Sequence, residues 1–177
     1  MDIITQLKHT IRDIPDFPKP GIVFKDLTTV LKNPEMCLNI ADAFCEKIKP
    51  MVPDAIIALD SRGFWFGLMI STRLGIPMIP IRKEGKLPYK TVSKAYALEY
   101  GISKVEMHID ALQPGWKVVI HDDLLATGGT AEAASTLIIE QKATVCGYAF
   151  IVELDALQGR TKLKPYSENI ISLLHYS

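Results

Sequence analysis

The sequence predicts an α/β protein: a mostly parallel sheet flanked by helices, in one domain spanning residues 1–177. Three observations carry this. Short continuous apolar runs recur, at Ala55–Leu59, Val118–Ile120 and Val145–Val152, and suit strands buried on both faces. Between them lie stretches with helical spacing and helix punctuation. A chain of 177 residues also fits one domain by length. Strands that alternate with helices imply βαβ units, and hence parallel pairing.

The elements follow in order. Ile3, Ile4, Leu7 and Ile11 recur at helical spacing, so residues 2–12 form a short amphipathic helix. The stretch from Ile14 to Asp26 holds Pro15, Pro18 and the turn Pro20-Gly21. Its Ile22, Val23 and Phe24 are too apolar for a solvated connector, so this segment is expected to pack on something. Asn33-Pro34-Glu35 starts a helix, with Asn as N-cap, Pro at the first helical position and Glu in the first turn. That helix runs through Ile40, Phe44 and Ile48 and stops before Pro50. A strand at Ala55–Leu59 leads to a helix over Phe64–Leu74 closed by Gly75, then a strand at Met78–Ile81.

Residues 82–104 are rich in Lys, Gly, Tyr and Ser and are expected to lack regular structure. A stretch of that length inside a compact domain is usually functional. Alternation at Val105, Met107 and Ile109 restores a strand, Pro114-Gly115 turns the chain, and Val118–Ile120 is the next strand. A helix over Gly129–Gln141, a strand over Val145–Val152 and a weak last strand at Ile170–Leu174 complete the chain. In parallel sheets ligands sit at the carboxyl ends of strands, here after Leu59, Ile81, His121 and Val152.

Composition excludes several classes. Lys plus Arg is 20 and Asp plus Glu is 20, so the chain lacks the basic excess of a nucleic-acid binder. Cys37, Cys45 and Cys146 are too few for a disulfide scaffold and lack zinc spacing. His9, His108 and His175 are scattered. The most apolar run, Phe64–Ile70, is far too short to span a membrane. A cytoplasmic protein with reduced cysteines, and with no nucleic-acid or membrane partner, is expected.

The chemistry is concentrated in Val118–Thr130. An apolar strand runs into Asp122 and Asp123, then into the small turn Ala126-Thr127-Gly128-Gly129-Thr130 at a helix start. Such a turn brings backbone N–H groups to a helix N-terminus, and its two threonines add hydroxyl donors, which together suit an anion. The lysine of a Walker A loop is absent, and the string is not GxGxxG. Carboxylates beside a phosphate need other partners, for which ribose hydroxyls or Mg²⁺ are suited. The loop therefore reads as a sugar-phosphate site.

The string DDLLATGGT at 122–130 resembles the phosphoribosyl pyrophosphate (PRPP) motif of the type I phosphoribosyltransferases, in a spelling closest to their adenine-specific branch. FPKPGIVFKDLT at 17–28, DSRGFWFG at 60–67, IRKEGKLP at 81–88 and LEYG at 98–101 resemble further segments of that family, in its order. The likeness covers about residues 10–155, and the tail after Asp155 adds little to it.

The resemblance implies the type I phosphoribosyltransferase-like fold, with an N-terminal helix and base-binding hood over 1–33 and a mobile catalytic flap over 82–104. It implies a purine salvage reaction: adenine plus PRPP gives AMP plus pyrophosphate. Mg²⁺ would be needed, reached mainly through substrate and water rather than protein ligands. Ala126, Thr127, Gly128, Gly129 and Thr130 would bind the 5′-phosphate, and Asp122 and Asp123 the ribose hydroxyls. Asp60, Ser61 and Arg62 would form the pyrophosphate loop, in which the family often has a cis peptide. Arg82, Lys83 and Lys86, at the start of the flap, would neutralise departing pyrophosphate. Glu99 would act as acid or base beside the purine, with Arg62 and Arg82 as the other catalytic groups. Phe24 would stack on adenine, with Tyr100 nearby, while the backbone at Val23 and Lys25 reads the exocyclic amine. No charged side chain is evident near Phe24 to read a 6-oxo group. A homodimer is implied too. His121 departs from the aliphatic residue usual before the acid pair. Two other readings stand beside this one: transfer to another purine base, and a PRPP-sensing, nucleic-acid-binding regulator on the same fold.

Overall fold

A computed structural model describes residues 2–97 and 101–177. A first helix α1 (Ile3–Thr10), capped by the Asp2 carboxylate, leads to a two-stranded antiparallel ribbon of β1 (Arg12–Ile14) and β2 (Phe24–Asp26). Asp26 closes this ribbon. Its carboxylate accepts from Thr28 and from Arg12, and these bonds hold its pKa down to about 2. The apolar residues between the strands do not pack as expected. Phe17, Ile22 and Val23 are exposed, and only an edge-to-face contact of Phe17 on Phe24, 5.2 Å between centroids, gathers them. The loop is therefore an open hood.

Helix α2 (Pro34–Ile48) begins where the sequence places it, with the Asn33 side chain accepting the Met36 N–H. Then follow β3 (Ala55–Leu59), α3 (Gly63–Leu74, ended by Gly75 at φ 69°) and β4 (Met78–Lys83). The stretch expected to be irregular contains two strands, β5 (Thr91–Ala97) and β6 (Ile102–His108), paired antiparallel in a hairpin. The chain continues as β7 (Lys117–Leu125), α4 (Gly129–Glu140), β8 (Thr144–Leu154), α5 (Gly159–Leu163) and β9 (Ile170–Tyr176).

The large sheet has the order β5-β6-β4-β3-β7-β8-β9, parallel from β4 to β9 and antiparallel at the hairpin. Every residue of β3 is buried, as its uninterrupted apolar run requires. One core layer joins β7 residues Val118 and Ile120 to Ala134, Leu137 and Ile138 of α4. The other joins Val119 to Ile40 and Phe44 of α2 and Phe66 and Ile70 of α3. The strand order reverses beside β3, whose neighbours are β4 and β7. Parallel sheets open a ligand crevice at such a point, outside the carboxyl ends of the strands.

His121 lies in that central region. It is fully buried with its ring edge-to-face on Phe44, and among the described residues neither ring nitrogen has a hydrogen-bond partner. Burial lowers its pKa to about 4, against a smaller opposing pull from the Ala149 backbone. The neutral ring is thus favoured in the folded state, and the unfolded chain binds more protons between the ordinary histidine pKa and pH 4. Stability is present in full above about pH 6.5 and falls as pH drops towards 4, by about 3 kcal/mol from this residue. His121→Leu is expected to flatten that slope. Urea unfolding at pH 7 and pH 4.5 would show the variant losing less stability than the wild type; equal losses would refute the assignment.

Candidate active site

The acid pair does not lie on a loop, as its sequence position suggests, but on the last residues of β7. Successive strand residues start from opposite sides of the sheet, but the two carboxyls remain within interaction range of each other. Asp122 shares the side of α4 and the 126–130 turn. Asp123 is buried, with its Oδ2 2.9 Å from Nε of Arg62. The Asp122 Oδ1 also accepts the Asp123 N–H at 2.8 Å. Burial, reinforced by the neighbouring Asp123 charge, pushes the Asp122 carboxyl well above the usual carboxylate range. Burial raises Asp123 as well, against the pull of Arg62.

Ala126, Thr127, Gly128, Gly129 and Thr130 line a concavity of about 90 Å³ at the start of α4. Gly128 adopts φ 79°, a left-handed conformation that suits glycine, and no side chain caps the helix there among the described residues. The first-turn N–H groups point into a recess shaped for an anion. The tail contributes to this turn, which the sequence did not suggest. A Cβ on Gly159 would stand 2.2 Å from the Ala126 carbonyl oxygen, and one on Gly128 would stand 2.7 Å from that of Gly159. Two glycine backbones are therefore stacked directly on each other. Arg160, the next residue, is locked by a bidentate pair to Glu153, at 3.0 and 2.6 Å.

The loop after β3 faces the same crevice, and its Asp60–Ser61 peptide is cis, as the family resemblance implies. Gly63 opens α3 so close to β7 that a Cβ there would lie 2.8 Å from the His121 carbonyl oxygen and 3.2 Å from Oδ1 of Asp122. Arg62 bridges two parts of the site. Besides Asp123, its guanidinium lies 5.2 Å from the centre of the Phe24 ring. A charged side chain thus does stand beside the hood, contrary to the sequence expectation.

The Asp60 carboxylate collects the basic residues. Its Oδ2 is 3.2 Å from Nε of Arg82 and 3.7 Å from Nζ of Lys86, and it accepts the Lys83 N–H at 3.4 Å. Arg82 and Lys83 are the end of β4, not the start of an irregular segment. A cavity of about 290 Å³ joins Asp60, Lys83 and Asp122 to Tyr96 and Thr130. Tyr96, on β5, accepts a hydrogen bond from the Thr130 hydroxyl at 3.2 Å, which ties the hairpin to the 126–130 turn. Ser61 belongs to the same loop as Asp60 and Arg62.

In the hood, Val23 is exposed and Phe24 half-buried. The Lys25 side chain turns away from the crevice: Nζ is 2.7 Å from Asp13 and 3.9 Å from the centre of the Tyr176 ring. The last strand thereby steadies the hood, a contact with no local signal in the sequence. Glu99 and Tyr100 lie outside the described residues. Glu153, Asp155 and His175 come within 4.8 Å of one another, but Arg160 occupies both oxygens of Glu153.

A glycine-rich turn at a helix start, a carboxylate on the adjoining strand and a basic cluster across one crevice have the chemistry to hold a sugar phosphate. A family model for the phosphoribosyl transferase domain matches residues 26–172. The chain belongs to the phosphoribosyltransferase family. Within it, the relatives are adenine phosphoribosyltransferases. That of Cytophaga hutchinsonii is 59% identical over 170 residues, covering 96% of this chain and 94% of the relative. The crystal structure of the enzyme from Thermoanaerobacter pseudethanolicus superposes with a TM-score of 0.94 at 44% identity, covering 98% of this chain and 99% of that one. The Saccharomyces cerevisiae enzyme, solved with adenine and an imino-altritol bisphosphate, gives a TM-score of 0.92 at 38% identity, covering 97% of this chain and 98% of that one.

Proposed function

We propose that the protein transfers the phosphoribosyl group of PRPP to adenine, giving AMP and pyrophosphate in purine salvage. The single observation that carries this reading is the cavity in which Asp60 with its basic cluster, Asp122 and Thr130 of the phosphate turn share one wall. Its relatives' names and the adenine held by the yeast enzyme support the choice of base.

The bond from ribose C1 to pyrophosphate oxygen breaks, the bond from C1 to the purine imidazole nitrogen forms, and adenine gives up one proton. Positive charge develops on the sugar in an oxocarbenium-like transition state, as in glycosidases. The turn at 126–130 fixes the 5′-phosphate. Asp122 accepts from the ribose hydroxyls directly off the cavity wall, and Asp123 does so with Arg62 as its counterion. Arg82, Lys83 and Lys86 face the charge that grows on the leaving pyrophosphate. The hood holds the base on Phe24, and Glu99 accepts or guides its proton. Closure of the hairpin that follows β4 would exclude water that otherwise hydrolyses the activated sugar.

Mg²⁺ belongs to this reading. The cavity offers the oxygen donors of Asp60 and Asp122 and no thiol or imidazole, which suits a hard ion. Those two carboxylates would hold its waters, and the ion would supply neutralising charge to the pyrophosphate. A homodimer and a cytoplasmic location complete the proposal. Leu38 on α2 and Leu68 on α3 are exposed apolar side chains that a second copy would cover, and the free cysteines suit a reducing compartment.

The test is an assay of the purified protein with PRPP, Mg²⁺ and each purine base, with the product identified. Adenine is expected to be preferred over hypoxanthine by at least about 100-fold in kcat/KM, the scale that hydrogen-bonding pockets reach. Equal rates with hypoxanthine would overturn the choice of base, and no nucleotide with any base would overturn the activity.

A further inference from the structure

Glu106 lies on β6, opposite Arg82 of β4 in the antiparallel register, and is only 5% exposed. A buried carboxylate needs compensation. It finds it in the turn that joins β4 to β5. Oε1 of Glu106 accepts the backbone N–H groups of Lys86 and Leu87, both at 3.0 Å, and Oε2 faces the Thr91 hydroxyl at 3.4 Å. Gly85, at φ 82°, gives the turn the left-handed residue it needs to wrap an anion this way. Burial alone would raise the Glu106 carboxyl, yet the backbone bonds from Leu87, Gly85 and Lys86, with Thr91, bring it below its ordinary value.

The turn held from beneath carries functional groups above. The Lys86 carbonyl accepts from Nη1 of Arg82 at 3.3 Å, and the Lys86 Nζ reaches Asp60 at 3.7 Å. Arg82 meets the same Asp60 oxygen at 3.2 Å. Both cations therefore reach one edge of the cavity through a turn whose backbone is pinned to a single buried carboxylate.

We propose that Glu106 is a positioning residue for pyrophosphate recognition, holding the 85–87 turn so that Lys86 and Arg82 are presented together beside Asp60. The proposal rests on the reading of this cavity as the PRPP site. Glu106 touches no substrate; it acts through Lys86 and Arg82.

The experiment measures the Kd of pyrophosphate by calorimetry, with KM for PRPP, KM for adenine and kcat, in Glu106→Ala, Glu106→Asp, Glu106→Gln, Lys86→Ala and the Glu106→Ala/Lys86→Ala double variant. Glu106→Ala is expected to weaken pyrophosphate and PRPP by roughly tenfold or more, the scale of a lost charge-assisted hydrogen bond. KM for adenine should stay unchanged. Glu106→Asp keeps the charge but withdraws it from the turn, so it should show the same loss even if the alanine variant folds poorly. Glu106→Gln keeps an acceptor for Lys86 and Leu87 but not its charge, and should recover part of the affinity. The double variant should bind pyrophosphate no more weakly than the worse single one, because both remove the same interaction. Aspartate and alanine variants that bind pyrophosphate like the wild type, or losses additive with Lys86→Ala, would overturn the proposal while leaving the PRPP site intact. A wild-type protein that binds neither pyrophosphate nor PRPP would overturn both.

Discussion

Asp122→Asn is expected to raise the midpoint of thermal unfolding and, in the same protein, to weaken PRPP by roughly 10- to 150-fold. That range corresponds to about 1.5–3 kcal/mol, the contribution of a hydrogen bond to a charged group. The substitution keeps the shape and the Oδ1 that accepts the Asp123 N–H at 2.8 Å. What it removes is the charge. Burial, then the Asp123 carboxylate, raise the Asp122 carboxyl well above its ordinary 3.8 in the folded protein. The folded state therefore binds this proton more tightly than the unfolded chain does. Ionising the group costs stability, and the loss begins as pH rises past the unfolded value and grows until the folded pKa is passed. Asparagine has no such loss, so its advantage in midpoint should be larger at pH 7 than at pH 4. Scanning calorimetry at both pH values, with and without PRPP, separates the two effects. A midpoint difference independent of pH would contradict the burial argument, and unchanged PRPP affinity would remove Asp122 from the ribose site. The charged form that a ribose or cation would stabilise is the one that the fold alone disfavours.

The parts of this molecule legible in the sequence are those whose cause is local. Ala55–Leu59 reads as a doubly buried strand because burial on both faces demands an unbroken apolar run. Asn33 and Gly75 mark helix ends because a side-chain cap and a left-handed backbone are local requirements. The turn at 126–130 is legible for the same reason, since its small residues and hydroxyls sit side by side. Strand β5 was not, because Thr91–Ala97 mixes Ser, Lys and Ala on a half-exposed edge, and its pairing with β6 supplies the order that its composition does not. The strand β7 extends through Asp122 and Asp123 although carboxylates usually end a strand, because pairing with β8 continues to Leu125. Arg62 and Asp123 meet only because β3 and β7 are neighbours in the sheet. The roles given to Glu99 and Phe24 came from the family resemblance and not from their own surroundings in the chain.

The tail supplies the largest effect expected from a single methyl group. Gly159→Ala would place a Cβ 2.2 Å from the Ala126 carbonyl oxygen, 2.9 Å from Cδ1 of Leu125 and 3.0 Å from the Gly128 nitrogen. The leucine tip can turn aside, but the two backbone atoms belong to the 126–130 turn and move only if the turn moves. Sliding α5 away instead would strain Arg160, which is fixed to Glu153 and donates to the Ile170 carbonyl at 3.0 Å. Glu153 is held in turn by the Ser172 hydroxyl at 2.5 Å. The softer element is therefore the turn at 126–130, where Gly128 already sits at φ 79° with Gly159 against it. Overpacking of this kind costs about 1–3 kcal/mol, and a turn displaced by the width of a methyl group no longer matches a phosphate. PRPP and AMP, which share the 5′-phosphate, are expected to lose roughly 10- to 100-fold in affinity, whereas adenine, which has no phosphate, should bind as before. Calorimetric titration of the three ligands decides it. If PRPP and AMP bind to Gly159→Ala as tightly as to the wild type, the contact between the tail and the turn does not set the phosphate site.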